Sequence, residues 1–184
     1  MPRKIELNPV SHLTVGTVGP PGQRTFYVQG AKGPNTISLI VEKEQAAMLA
    51  DSFESLLQEL EKQYPHLATD TQERVVLDLR LREPVEELFR GGNMGLGYNE
   101  EKDRVVLVVY ELADNDEEDE EDEEDEEDED QRNAVSFWAV RTQIQLLIPH
   151  IREVVQAGRP LCGNCGQPID PEGHFCARRN GHVK

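Results

Sequence analysis

No apolar run in this chain approaches the roughly 20 residues that a bilayer-spanning helix needs. The opening MPRKIELNPV also lacks the apolar core of a secretory signal. The expectation is a cytoplasmic protein. A basic field is missing too. The formal charge is −17, with 36 acids against 19 Lys and Arg. Residues 114–130, DNDEEDEEDEEDEEDED, carry sixteen of those acids and leave twenty elsewhere, so the rest of the chain is nearly neutral. Nothing in its overall charge draws it to nucleic acid or to an anionic membrane.

Catalytic motifs are absent as well. GPPGQRT (19–25) begins like a phosphate-binding loop, but Gln23 stands where the loop needs lysine and a β-rich TFYVQ follows in place of a helix. A tight hairpin turn is the better reading. GGNMGLG (91–97) misses the G-x-G-x-x-G spacing and leads into a strand. There is no H-E-x-x-H, and no histidine is followed two positions later by glutamate, as a zinc deaminase requires. His12, His66 and His150 are isolated; His150, beside Pro149, reads as a packing or surface histidine.

The pattern of the remainder is α+β: a mostly antiparallel sheet backed by two amphipathic helices, with a small knuckle at the C-terminus. Strands are predicted at 12–18, 24–30 and 36–41, separated by Gly- and Pro-rich turns. A helix follows over 43–63, with Leu49, Phe53, Leu56, Leu57, Leu60 and Tyr64 at three- and four-residue steps and Pro65 as its stop. RVVLDLRLRE (74–83) alternates like a half-buried strand. Further strands are predicted at 85–90, 94–98, 104–112 and 134–140, then a helix over 142–157. Thr142 offers its N-cap, Pro149 should kink or split it, and Gly158 ends it. ISLIVEKEQAAMLADSFESLL from Ile37 echoes VSFWAVRTQIQLLIPHIREVV from Val135, with Ser38/Ser136 and Gln45/Gln143 identical and the apolar helix positions in step. One reading is a duplicated β-β-β-α unit with pseudo-twofold packing; the other is the generic look of any strand followed by a helix. The acidic stretch cannot bury apolar surface, and a disordered loop at 114–131, inserted between strands, is expected from it. This divides the chain into an α+β domain, 1–158, and a tail, 159–184.

Cysteine is scarce, and all three residues fall between Cys162 and Cys176. An odd, clustered set in a reducing compartment favours a metal over disulfides. Cys162-Gly163-Asn164-Cys165 has the two-residue gap that lets one turn present both thiolates, and Gly166 lets the backbone fold beneath the sulfurs. His174-Phe175-Cys176 follows across a short Pro- and Gly-rich turn. The expected ligands of a structural Zn²⁺ are Cys162, Cys165, His174 and Cys176, with His182 as a substitute for His174. A thioredoxin-like redox pair would open a helix after a strand, whereas this motif follows a helix.

Read whole, C-x-x-C-G-Q-P-I-D-P-x-G-H-x-C in this tail, with GTVGPPGQRTFYVQ (16–29), EKEQ (42–45), GNMGLGYNEEKDRVVL (93–107) and RNG (179–181), resembles a bacterial family known as domain of unknown function three thousand and ninety, seen in actinobacteria and related to sequences in Chloroflexi. The chain departs from that pattern in its long acidic insertion and at Ala177, where the family tends to have proline. The resemblance implies that the four residues above are the family's metal motif. It also implies association with a lipid-kinase-like protein and a histidine phosphatase.

Three functions are in view. A non-catalytic binding or adaptor protein fits the filled metal shell and the lack of an acid–base or nucleophile constellation. An enzyme acting on a small phosphorylated ligand would place its site between the two sheet–helix units, with Arg24 and Tyr98 as lining residues. Nucleic-acid binding through the knuckle would use Phe175, Arg178, Arg179 and Lys184, and the near-neutral body argues against it.

Overall fold

The protein is described here by a computed structural model covering residues 1–67, 77–113, 129–170, 172–176 and 178. Its elements run β1 (Lys4–Leu7), β2 (His12–Val18), β3 (Thr25–Lys32), β4 (Asn35–Val41), α1 (Lys43–Gln63), a 3₁₀ turn (Pro65–Leu67), β5 (Glu87–Asn99), β6 (Arg104–Glu111), β7 (Ala134–Ala139) and α2 (Arg141–Gln156). The strands form one sheet in the order β1-β7-β6-β5-β4-β3-β2. Every pairing is antiparallel except β1 with β7 and β4 with β5.

The sheet curls until its ends meet. The Val10 amide donates to the Trp138 carbonyl and the Ser11 amide to that of Ala31, each at 2.8 Å, so residues 10 and 11 tie the β7 end to the β3 end. Inside the curl the Phe137 ring of β7 lies over Gly30 of β3; a carbon added at Gly30 would sit 2.4 Å from that ring. Glycine here is a packing requirement of the fold.

Two β-β-β-α units succeed one another, β2-β3-β4-α1 and β5-β6-β7-α2, with the same strand order and polarity. The helices begin 98 residues apart (141 − 43), and so do the ends of β4 and β7, Val41 and Ala139. Burial keeps this step: Ala46, Leu49, Ala50 and Phe53 of α1 match Ile144, Leu147, Ile148 and Ile151 of α2, all buried. The caps keep it as well. The Gln45 carbonyl oxygen accepts from the Glu42 amide at 2.7 Å, and that of Gln143 from the Val140 amide at 3.0 Å. The Gln45 amide group then donates to the Gly91 and Gly92 carbonyls of β5, and that of Gln143 to the Val10 carbonyl just before β2. β2 and β5 are the first strands of the two units, so each glutamine joins its helix to the start of the other unit.

Several expectations require correction. Residues 77–83 form no strand; the segment crosses the outer face of β2 and β3 in an irregular course. Its backbone pairs with side chains: Thr14 Oγ1 donates to the Leu79 carbonyl at 2.5 Å, the Arg82 amide donates to Gln29 at 2.7 Å, and Gln29 Nε2 donates back to the Arg82 carbonyl at 3.0 Å. Leu81 presses against Gly16. The rest of the predicted strand, 74–76, lies outside the described residues. Strands 85–90 and 94–98 are one strand, β5, with a register shift between Gly91 and Met94, so GGNMGLG lies within it. Thr142 is not the N-cap of α2; Val140 is, satisfied by Gln143. Pro149 does not split α2. The proline removes one donor to the carbonyl of exposed Gln145, which solvent can satisfy. β1 was not foreseen.

Of the predicted disordered loop, 114–128 lies outside the described residues. Residues 129–131 make a turn in which the Glu129 carbonyl accepts from the Arg132 amide at 3.2 Å and from Lys4 Nζ at 2.8 Å. GPPGQ makes the expected hairpin turn, with Gly19 and Gly22 at φ 108° and 88°. Among the described residues no helix is long and apolar enough to cross a membrane.

Candidate metal centre

Beyond α2 the chain crosses Gly158 and Pro160 and folds back on itself through local hydrogen bonds. The Cys162 amide donates to Gln167, Gly166 to Cys162, Ile169 to Pro160 and Gly173 to Asp170, each at 2.8 Å. Gly166 and Gly173 hold φ of 72° and 97°, a region that favours glycine. These turns bring Cys162, Cys165, His174 and Cys176 to one point. One ligand atom from each lies within 4.8 Å of all the others. Cys162 Sγ and Cys176 Sγ are 3.9 Å apart, and Cys165 Sγ and His174 Nε2 are 3.3 Å apart. A tetrahedral ion with thiolate bonds of about 2.3 Å and an imidazole bond of about 2.0 Å requires S···S edges of about 3.8 Å and S···N edges of about 3.5 Å. These two edges lie close to those values, and the four residues can hold a metal ion.

The electrostatics point the same way. The amides of Cys165 and Asn164 face the Cys162 sulfur and hold its thiol down at about 6, so the thiolate prevails at neutral pH. At Cys165 the Gln167 amide favours the thiolate, but burial and the neighbouring Cys176 and Cys162 sulfurs outweigh it and raise the thiol above its usual range. Clustered sulfurs that resist sharing negative charge are what a bound cation relieves. The backbone beneath the sulfurs therefore does what Gly166 led us to expect.

The tail has little apolar interior. Cys162 and Cys176 are buried, whereas Leu161 and Phe175 are 67% and 77% exposed. Arg159 is tied to Asp170 at 2.5 Å and Arg178 to the Asn164 carbonyl at 3.0 Å. His182, Arg179, Lys184 and Ala177 lie outside the described residues.

Arg24 and Tyr98 are not brought together. Tyr98 donates to Asp103 at 2.7 Å, and Asp103 also accepts from Arg141 Nε at 2.9 Å. Burial, then the Asp103 contact, pushes the Tyr98 hydroxyl up to about 12. Its role is to brace the β5–β6 turn against α2. Arg24 donates to the Val154 carbonyl near the end of α2 at 2.9 Å and stacks over Phe26. A groove of about 1080 Å³ runs between α1 and α2, lined by neither residue. Its Arg152 is already engaged by Glu54 and Asp51. His150 Nε2 contacts the Val15 carbonyl at 2.9 Å, anchoring α2 to the edge strand β2. Sequence reasoning missed a second cavity, where Arg24 meets three other cations; those residues are far apart in the chain and form no motif.

No curated protein and no solved structure matches the chain. A family model described as a protein of unknown function (DUF3090) matches residues 5–176, a span that includes all four candidate ligands, and the chain belongs to that family.

Proposed function

We propose that the protein is a non-catalytic binding or adaptor module in which a structural Zn²⁺ folds the tail against an α+β body. The observation that carries this reading is the donor set: three sulfurs and one imidazole whose ligand atoms all lie within 4.8 Å of one another. A Cys₃His shell fills the coordination sphere and leaves no position for a reacting water. Zinc accepts that mixture of thiolate and imidazole without geometric preference of its own, and the low Cys162 thiol favours metal uptake at neutral pH. The cytoplasm suits this chemistry, since thiols stay reduced there. The partner proposed is the lipid-kinase-like protein or the histidine phosphatase that the family resemblance implies. Elemental analysis of the purified protein tests the metal: one zinc per chain is expected, and Cys165→Ser should lose it. Protein without stoichiometric metal, or with the metal undiminished in Cys165→Ser, refutes the reading.

A further inference from the structure

The β2–β3 turn, the first turn of α1 and the start of the tail border an open cavity of about 350 Å³, lined by Gly22, Arg24, Lys43, Arg90, Gly158 and Arg159, among others. Glu42 is the one acid in its wall. Outside the acidic stretch acids and bases are nearly balanced, yet four cations and one acid surround this hollow. Glu42 pairs with Arg90, and Asp170 pairs with Arg159. Arg24 and Lys43 keep their charges unmatched: Arg24 donates to a carbonyl, and the Lys43 ammonium has no partner among the described residues.

These two charges converge. A carbon placed on Gly158 would lie 3.3 Å from Arg24 Nη2 and 4.0 Å from Lys43 Nζ. Gly158 thus leaves open a space that both cations reach. Two like charges held over one vacant point repel each other, and an anion there would reverse the sign of that interaction. The positive end of the long helix α1 faces the same hollow and adds to the field.

We propose that this cavity binds a small, soluble, phosphoryl-bearing anion. Two unmatched cations suit a dianion. The guanidinium fork of Arg24 still has free N–H groups to offer two phosphoryl oxygens, and Lys43 supplies a point charge. The volume admits a phosphoryl group with a small organic remainder. The metal itself makes no contact in this assignment, because none of the four candidate ligands lines the cavity.

The test is calorimetric titration of the metal-loaded full chain with inorganic phosphate and with pyrophosphate at low ionic strength. Saturable binding of at least one probe is expected. Lys43→Gln should weaken it about tenfold, the scale of one charged hydrogen bond. Gly158→Ala should weaken it comparably by filling the space without changing any charge, while Lys62→Gln, in the last turn of α1 and outside the cavity, should leave it unchanged. The exposed Lys43 side chain makes no hydrogen bond or ion pair among the described residues, so an unfolded variant is not expected to obscure the result. Absence of saturable binding overturns the proposal, as does equal weakening in Lys43→Gln and Lys62→Gln. Association with phosphatidate vesicles but with neither soluble probe overturns the assignment to a soluble ligand. Metal content measured on the same samples separates this outcome from failure of the zinc reading.

Discussion

Stripping the metal should unfold the tail and leave the body intact. Four amides hold the tail's turns, those of Cys162, Gly166, Ile169 and Gly173. At about 1 kcal/mol net for each hydrogen bond they contribute about 4 kcal/mol. Ordering the backbone from residue 161 to 176 costs at least about 1 kcal/mol per residue, about 16 kcal/mol in all. Apolar burial does not close the gap, because Leu161 and Phe175 face solvent. The shortfall of roughly 12 kcal/mol falls within the about 10–16 kcal/mol that structural zinc supplies. Hydrogen exchange on metal-loaded and chelator-stripped protein reads this directly. The four tail amides should exchange at least about a hundredfold faster after stripping, since even 2.7 kcal/mol of lost local stability gives about that factor. Amides in the centre of the sheet, such as those of Val28 and Leu107, should not change. Retained protection in protein shown by elemental analysis to be metal-free would refute the reasoning.

Gly30→Ala should destabilise the body by about 1–3 kcal/mol, because the added methyl meets the buried Phe137 ring; urea unfolding measures it, and Phe137→Leu should restore part of the loss. Gln45→Ala and Gln143→Ala should each cost about 1 kcal/mol, and similar values for the two would confirm that the repeat is energetic as well as geometric. His12 is held below its ordinary value by burial, then by the nearby Arg82 charge. The unfolded chain therefore binds the proton first as the pH falls through 6.5, and the folded state loses stability below that point. Thermal melts of His12→Gln should show a shallower fall in Tm on acidification than the parent protein.

The parts of this fold that local chemistry decides were legible in the sequence. The range 43–63 emerged intact because Leu49, Phe53 and Leu60 trace one helical stripe and Pro65 closes it. The repeat was legible as a step of 98 because both helices bury the same positions. The clustering of Cys162, Cys165, His174 and Cys176 was legible because the four residues lie within fifteen positions, joined by short turns. What failed depended on distant partners. Leu79 and Leu81 alternate because they pack over β2, yet the backbone around them answers to Thr14 and Gln29. The cap of α2 comes from Gln143 reaching back, so the hydroxyl of Thr142 was a false lead. The cationic cavity draws on residues 22 to 159, and no window on the sequence holds them together.

β1 carries a consequence for biosynthesis. Among the described residues its only strand partner is β7, so Lys4 waits for Ala134, 130 positions downstream. A nascent chain can assemble the first β-β-β-α unit while it is still being made, but the hollow of the curl stays open at Gly30 until Phe137 leaves the ribosome. Closure is thus a late, long-range event, and contacts of that kind slow folding and prolong exposure of unpaired edges. Until Phe137 arrives, the Gly30 face of the first unit lacks the ring that covers it in the finished fold.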